Sequence, residues 1–151
     1  MIRLSKKSLL ALEAVVDIAY NARPEPVQSK EITERQGIPQ RYLEQVMQQL
    51  VRAGILRGVR GPRGGYRLAR ERRRITAGEI VRVVSDLEQK EAENGHGAGS
   101  ELGAKIVRPL LAEIEEQLMQ RLDGITIEDL CRAAEANGIG NAQAARLDFT
   151  I

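Results

Sequence analysis

Residues 57–68 read RGVRGPRGGYRL, in which Arg57, Arg60 and Arg63 recur at every third position, each followed by a glycine, with Pro62 at the centre. Two chemistries use such a stretch: a loop that cradles nucleotide phosphates, and a basic hairpin that enters a nucleic-acid groove. A phosphate loop needs G-x-x-x-x-G-K-[ST] or G-x-G-x-x-G between a strand and a helix. Gly61-x-x-Gly64 satisfies neither, no Lys, Ser or Thr follows to engage phosphate or Mg²⁺, and the stretch leads back into a strand pattern. A structural hairpin with incidental arginines is the remaining rival. Against it, four arginines within twelve residues repel one another unless a polyanion neutralises them.

The sequence before the stretch gives it a setting. Helical spacing runs from about Lys6 to Asn21, with Leu9, Leu12, Val16 and Ala19 expected on one face. The prolines of Arg23-Pro-Glu-Pro-Val mark a turn. Ser29 is a suitable N-cap for a short helix through Ile32 to Gln36, and Gly37 supplies a left-handed stop. Pro39 fits the first turn of a second helix reaching about Ala53, where Ile38, Tyr42, Leu43, Val46, Met47 and Leu50 form the apolar stripe. Its other face displays Gln40, Arg41, Glu44, Gln45 and Gln48, polar side chains that can reach base edges. A short helix, a glycine turn and a longer amphipathic helix make a helix-turn-helix pattern.

After Gly54 the apolar period falls from 3.6 to about 2, so Ile55–Val59 and Gly65–Leu68 read as strands joined by the arginine-glycine turn. Thr76-Ala-Gly-Glu79 is a capping box that opens another helix with Ile80, Val83, Val84 and Leu87 apolar. The predicted fold is mostly α with a small β-hairpin: a winged helix-turn-helix over residues 1–87, with the opening stretch as its wing. Residues 88–103 are polar and glycine-rich and read as a flexible loop. Residues 104–136 hold a long helix, from about Leu102 to Arg121, and a short capped one from Thr126 to Ala136, stopped by Asn137-Gly138. The apolar stripe of the long helix is wider than one small domain covers, which points to a dimerisation helix with Ile106, Leu110, Ile114 and Leu118 in the contact. Packing within its own chain is the alternative. Residues 137–151 form a C-terminal tail.

Charge follows the same division. Residues 1–74 carry 16 Lys and Arg against 7 Asp and Glu, a net of +9, and residues 75–151 carry 7 against 14, a net of −7. A basic half joined to an acidic half suits a polyanion-binding module fused to a unit with another task. Cys131, the one cysteine, excludes an internal disulfide framework and suits a reducing cytoplasm. Glu13 and Asp17 interrupt the apolar N-terminal run, so neither a signal peptide nor a membrane partner is expected. No paired carboxylates, nucleophile–base set or metal-ligand cluster suggests an enzyme or a metal site. The candidate DNA contacts are therefore Lys30, Gln40, Arg41, Tyr42, Glu44, Gln45, Gln48, Arg57, Arg60, Arg63 and Arg67. Arg57, Arg60, Arg63, Arg67 and Lys30 supply phosphate neutralisation, and Glu44 suits cytosine N4 as Gln40 or Gln45 suits adenine.

IPQRYLEQVMQQLVRAGIL, then RGVRGPRGGYRLAR, then ITAGEIVRVV, together resemble the bacterial winged-helix regulators that include IscR, NsrR and CymR. The likeness spans residue 1 to about 87, and the long helix and ITIEDL continue it. It implies a homodimeric repressor on a pseudo-palindromic operator, with base reading by Glu44 and Gln45 and minor-groove insertion at Arg60. Many such regulators hold an iron–sulfur cluster with three cysteines in the loop before the long helix. Residues 88–103 have no cysteine, and their lone His96 reads as solvated, so no cofactor is expected. The resemblance is to the cluster-less, CymR-like members, which control cysteine metabolism in complex with O-acetylserine sulfhydrylase. The last residues, Asp148, Phe149, Thr150 and Ile151, resemble the serine acetyltransferase terminus that enters that enzyme's active site, and make it a candidate partner. A repressor answering a small-molecule or redox signal, and an enzyme-docking interaction protein, are the alternatives. Cys131 reads as a buried small residue, with an intersubunit disulfide as its rival.

Overall fold

Described here are residues 4–92 and 99–142 of a computed structural model. Ser5 starts the first helix by accepting the Ser8 N–H at 3.2 Å, and α1 spans Lys6–Tyr20. Its buried face is Ala11, Ala14, Val15 and Ile18, not the expected row of Leu9, Leu12, Val16 and Ala19. Ala19 is buried with the first set, whereas Leu9 stands 55% exposed. The helix is apolar on more than one side, and small alanines let its neighbours approach on the side that wins.

Helices α2 (Ser29–Gln36) and α3 (Gln40–Arg52) form the helix-turn-helix. The N-cap of α2 is Gln28 rather than Ser29, and the Glu31 carboxylate accepts the Gln28 N–H at 2.8 Å. Gly37 turns the chain with φ 65°, in the left-handed region where a Cβ is costly. Buried Asp17 of α1 fixes α2: its carboxylate accepts Arg35 Nε and an Arg35 terminal nitrogen, both at 2.8 Å, and Gln36 Nε2 at 2.8 Å. Leu43, Val46, Met47 and Leu50 of α3 pack into the core with Ile32, Ile38 and the α1 row.

Strands β1 (Leu56–Val59) and β2 (Gly65–Leu68) pair antiparallel, with Leu56 opposite Leu68 and Val59 opposite Gly65. Val27 joins the far side of β2 by exchanging backbone bonds with Tyr66 at 2.8 and 3.0 Å. A 3-10 turn at Arg72–Arg74 leads to α4, Ala77–Ala92, which starts with the expected capping box: Thr76 Oγ1 accepts the Glu79 N–H at 3.2 Å, and Glu79 Oε2 accepts the Thr76 N–H at 3.0 Å. The helix continues five residues past Leu87, and helix is again present from Glu101, so part of the stretch read as a loop is helical.

A π-helical turn over Gly103–Val107 precedes α5, Arg108–Asp123. Pro109, which lacks an N–H and crowds the preceding turn, stands two residues past the end of this widened turn. A second capping box, Thr126 with Asp129, opens α6, Ile127–Ala136. The two boxes lie side by side, bridged by Ala77 N to Ile125 O at 2.8 Å and Ile127 N to Ile75 O at 2.9 Å. Ile127 and Cys131 close the core against α1. The tail residues 139–142 lie on the end of α1, where Ala142 N donates to Asn21 Oδ1 at 3.2 Å and the Tyr20 hydroxyl to the Ile139 carbonyl. Among the described residues no helix is long and apolar enough to cross a membrane.

Candidate DNA-binding surface

Helix α3 buries one face so completely that its other face is left to solvent. Gln40, Arg41, Glu44, Gln45 and Gln48 are all exposed on it, with Gln40 Nε2 directed to Glu44 Oε1 at 3.4 Å. Tyr42 does not share that face. Its hydroxyl donates to the Lys7 carbonyl at 2.6 Å, and its half-buried ring lies 6.0 Å from the Lys7 ammonium. Burial, with the Glu88 charge nearby, pushes its phenol well above the usual range. Tyr42 therefore ties α3 to α1, in keeping with its place in the apolar stripe.

The wing arginines divide in two. Arg57, Arg60 and Arg63 are exposed, and their guanidiniums have no hydrogen-bond or ion-pair partner among the described residues. Arg67 sits opposite Arg57 in the hairpin register, a pairing of like charges that costs stability unless one turns away. Arg67 turns away: its guanidinium donates to the Arg23 carbonyl at 3.2 Å and to the Pro24 carbonyl. It braces the wing against the 23–26 turn instead of meeting solvent with the other three.

Two of the wing glycines are required by the protein's own backbone. A Cβ on Gly64 would stand 2.2 Å from the Val59 carbonyl oxygen, and one on Gly65 would stand 2.3 Å from that of Val27. Their missing side chains make room for these carbonyl oxygens. Gly61, at φ 114°, makes the turn itself, and Gly58 faces open space. Between the wing and the start of α2 runs a groove lined by Ser29, Lys30, Arg60 and Tyr66, where Lys30 is exposed.

Sequence reasoning missed the network that holds α2. Arg23 donates twice to Glu31 at 2.7 Å, and Arg35 bridges Glu31 and Asp17. Burial pushes the Glu31 carboxyl up, but the Arg23 bond, the Gln28 N–H and the neighbouring guanidiniums outweigh it, leaving it below its ordinary value. Acidic and basic residues eighteen apart carry no local signal of pairing. Asp148, Phe149, Thr150, Ile151 and His96 lie outside the described residues.

A polar helix in a helix-turn-helix, flanked by a hairpin with exposed guanidiniums, defines a winged helix-turn-helix DNA-binding protein. The Rrf2 model, described as an iron-dependent transcriptional regulator, matches residues 4–133, and the chain belongs to this family of transcriptional regulators. It is 34% identical to the HTH-type transcriptional regulator IscR of Klebsiella pneumoniae over 93% of this chain and 86% of that protein. Among solved structures it resembles T. potens IscR (TM-score 0.71, 32% identity, 91% of this chain and 92% of that one). It also resembles CymR, the global cysteine regulator of B. subtilis (TM-score 0.66, 31% identity, 88% and 98%). These relatives are named as regulators, not as enzymes.

The family's description implies iron. Iron–sulfur clusters are held by several thiolates, and this chain has one, Cys131, buried on α6, where burial pushes its thiol up against the opposing pull of Arg72. Among the described residues no three His, Cys, Asp or Glu side chains converge on a metal-sized site. The donor set does not fit a thiolate-held cluster.

Proposed function

We propose that this protein is a homodimeric transcriptional repressor that binds a pseudo-palindromic operator through α3 and the wing. The observation that carries the reading is the set of three exposed guanidiniums, Arg57, Arg60 and Arg63, without a partner among the described residues and beside the polar face of α3. In this reading α3 lies in the major groove, where Glu44 and Gln45 read bases and Gln40, Arg41 and Gln48 extend the contact. Arg60, next to the wing turn, enters the minor groove, whose negative potential is enhanced where it is narrow. Lys30, Arg57 and Arg63 neutralise phosphates.

The second copy is supported by the exposed stripe of α5. Ile106, Leu110 and Ile114 are 61, 55 and 51% exposed, in line with Leu102, Val107 and Leu111, while Leu118 is half-buried. A row of this kind is costly to leave in water and suits an isologous contact. Replacing Arg60 by Ala should weaken operator binding by roughly 1–3 kcal/mol in a fluorescence-anisotropy titration and lower the log–log salt slope by about 1. Unchanged affinity and slope would take the wing out of the mechanism.

Control of cysteine genes through docked O-acetylserine sulfhydrylase is a second reading, supported by the likeness to CymR and by the sequence Asp148-Phe149-Thr150-Ile151. Removing Ile151 should abolish capture of the purified sulfhydrylase. Equal capture by the truncated and full chains would end this reading.

A further inference from the structure

We propose that a cavity at the foot of the wing is an effector site for a zwitterionic α-amino acid, free or at the end of a dipeptide. The inference rests on the DNA-binding reading above for its regulatory consequence, but not for the binding itself. The cavity, of about 680 Å³, lies between the end of α1, the foot of β2, the 3-10 turn and α6, a size usual for small-molecule sites. It is at the opposite end of the hairpin from Arg60 and Arg63, because Leu68 on its wall pairs with Leu56, the first residue of β1.

One face of α6 supplies the polar wall. Glu128, Cys131, Arg132 and Glu135 follow the i, i+3, i+4, i+7 spacing of a single helix face, and all four line the cavity. Two guanidiniums converge on one carboxylate there: Arg132 Nε lies 3.2 Å from Glu128 Oε1, and Arg72 also pairs with Glu128. That arrangement leaves one positive charge uncompensated, a place for a second carboxylate. One turn further on, Glu135 has no side-chain partner among the described residues and offers a place for an ammonium. Ala19, Ala22, Leu68 and Cys131 give the space between an apolar floor.

Mixed charge decides the ligand class. A simple anion would meet Glu71, Glu128 and Glu135, and a simple cation would meet four arginines, so neither matches the whole wall. A molecule with both a carboxylate and an ammonium matches it, with the ligand's side chain over the floor. The wall also reaches the DNA-reading unit. Arg70 donates to the Gly54 carbonyl at the end of α3 at 3.4 Å and to Glu79 at the start of α4 at 3.2 Å, while Arg72 belongs to the turn that ends the wing. A ligand that takes up Arg72 and Arg132 alters the Glu128 clasp between wing foot and α6, so ligand and operator affinities must be linked reciprocally.

The test uses the full chain, the twenty free amino acids, a dipeptide panel, and their N-acetylated and C-amidated forms, read by thermal shift and by operator anisotropy. At about ten times its Kd, at least one free amino acid or dipeptide should raise Tm by about 3–6 °C and change operator affinity about fivefold or more. N-acetylation and amidation should each remove the effect. Glu135→Gln, at an exposed position outside the Glu128 clasp, should weaken the ligand about tenfold while leaving ligand-free operator affinity unchanged, and Arg132→Gln should weaken the ligand by a similar factor. Absence of any Tm shift, equal binding of the blocked forms, or full binding by both variants would overturn the site. A stabilising ligand without effect on operator affinity would overturn the coupling. Operator binding by the ligand-free protein tests the DNA reading separately.

Discussion

Gly58 and Gly65 share one hairpin and look alike in the sequence, yet only Gly65 is pressed against backbone, that of Val27. Gly65→Ala must displace the Val27–Tyr66 bridge and should cost roughly 1–3 kcal/mol in a denaturant titration. Gly58→Ala meets nothing and should leave stability within about 0.5 kcal/mol. The arginines make the same point. Arg60, Arg63 and Arg67 were equal as letters, but cross-strand register brought Arg67 against Arg57 and turned it onto the Arg23 and Pro24 carbonyls. Arg67→Ala should therefore lower stability as well as affinity, whereas Arg60→Ala should lower affinity alone. Equal melting temperatures for the two variants would contradict this division.

At the scale of elements, helix and strand positions followed from pattern, because their signals are local. Capping boxes, a left-handed glycine and a change of apolar period each act within a few residues. The element that reads least simply is α5. Most of its apolar stripe stands in solvent, and Met119 is its buried residue. Leu110→Asp places a charge in the centre of that stripe without touching the core of the same chain. It should convert a dimer to a monomer in sedimentation, leave far-ultraviolet circular dichroism intact and weaken operator binding by about tenfold or more. A variant that remains dimeric would remove α5 from the contact. Leu9 on α1 and Leu4 just before it are exposed as well.

For the whole molecule, carboxylates set the pH response. Glu31 lies below its ordinary value despite burial, Asp123 through the bidentate Arg82 bond at 2.6 and 2.7 Å, and Asp129 through Thr126. Lowered values mean that the unfolded chain takes up protons first on acidification. The stability these groups add is complete above their ordinary values near about 4 and is lost as pH falls through the folded values below. Tm should drop between pH 5 and pH 3 (about two units of acidification), and Glu31→Gln should remove part of that drop; a parallel curve for the variant would exclude Glu31 as a contributor. The sequence by itself determined the order of helices and strands, the winged helix-turn-helix class, the polar face of α3 and the scarcity of thiolates. All of these depend on residue type at short spacing. Only tertiary structure decided which side of α1 is buried, which wing arginines stay exposed, why Gly64 and Gly65 lack side chains, and that Arg72, Arg132 and Glu135 share one cavity. Those properties depend on contacts between residues far apart in the chain, which no local periodicity records.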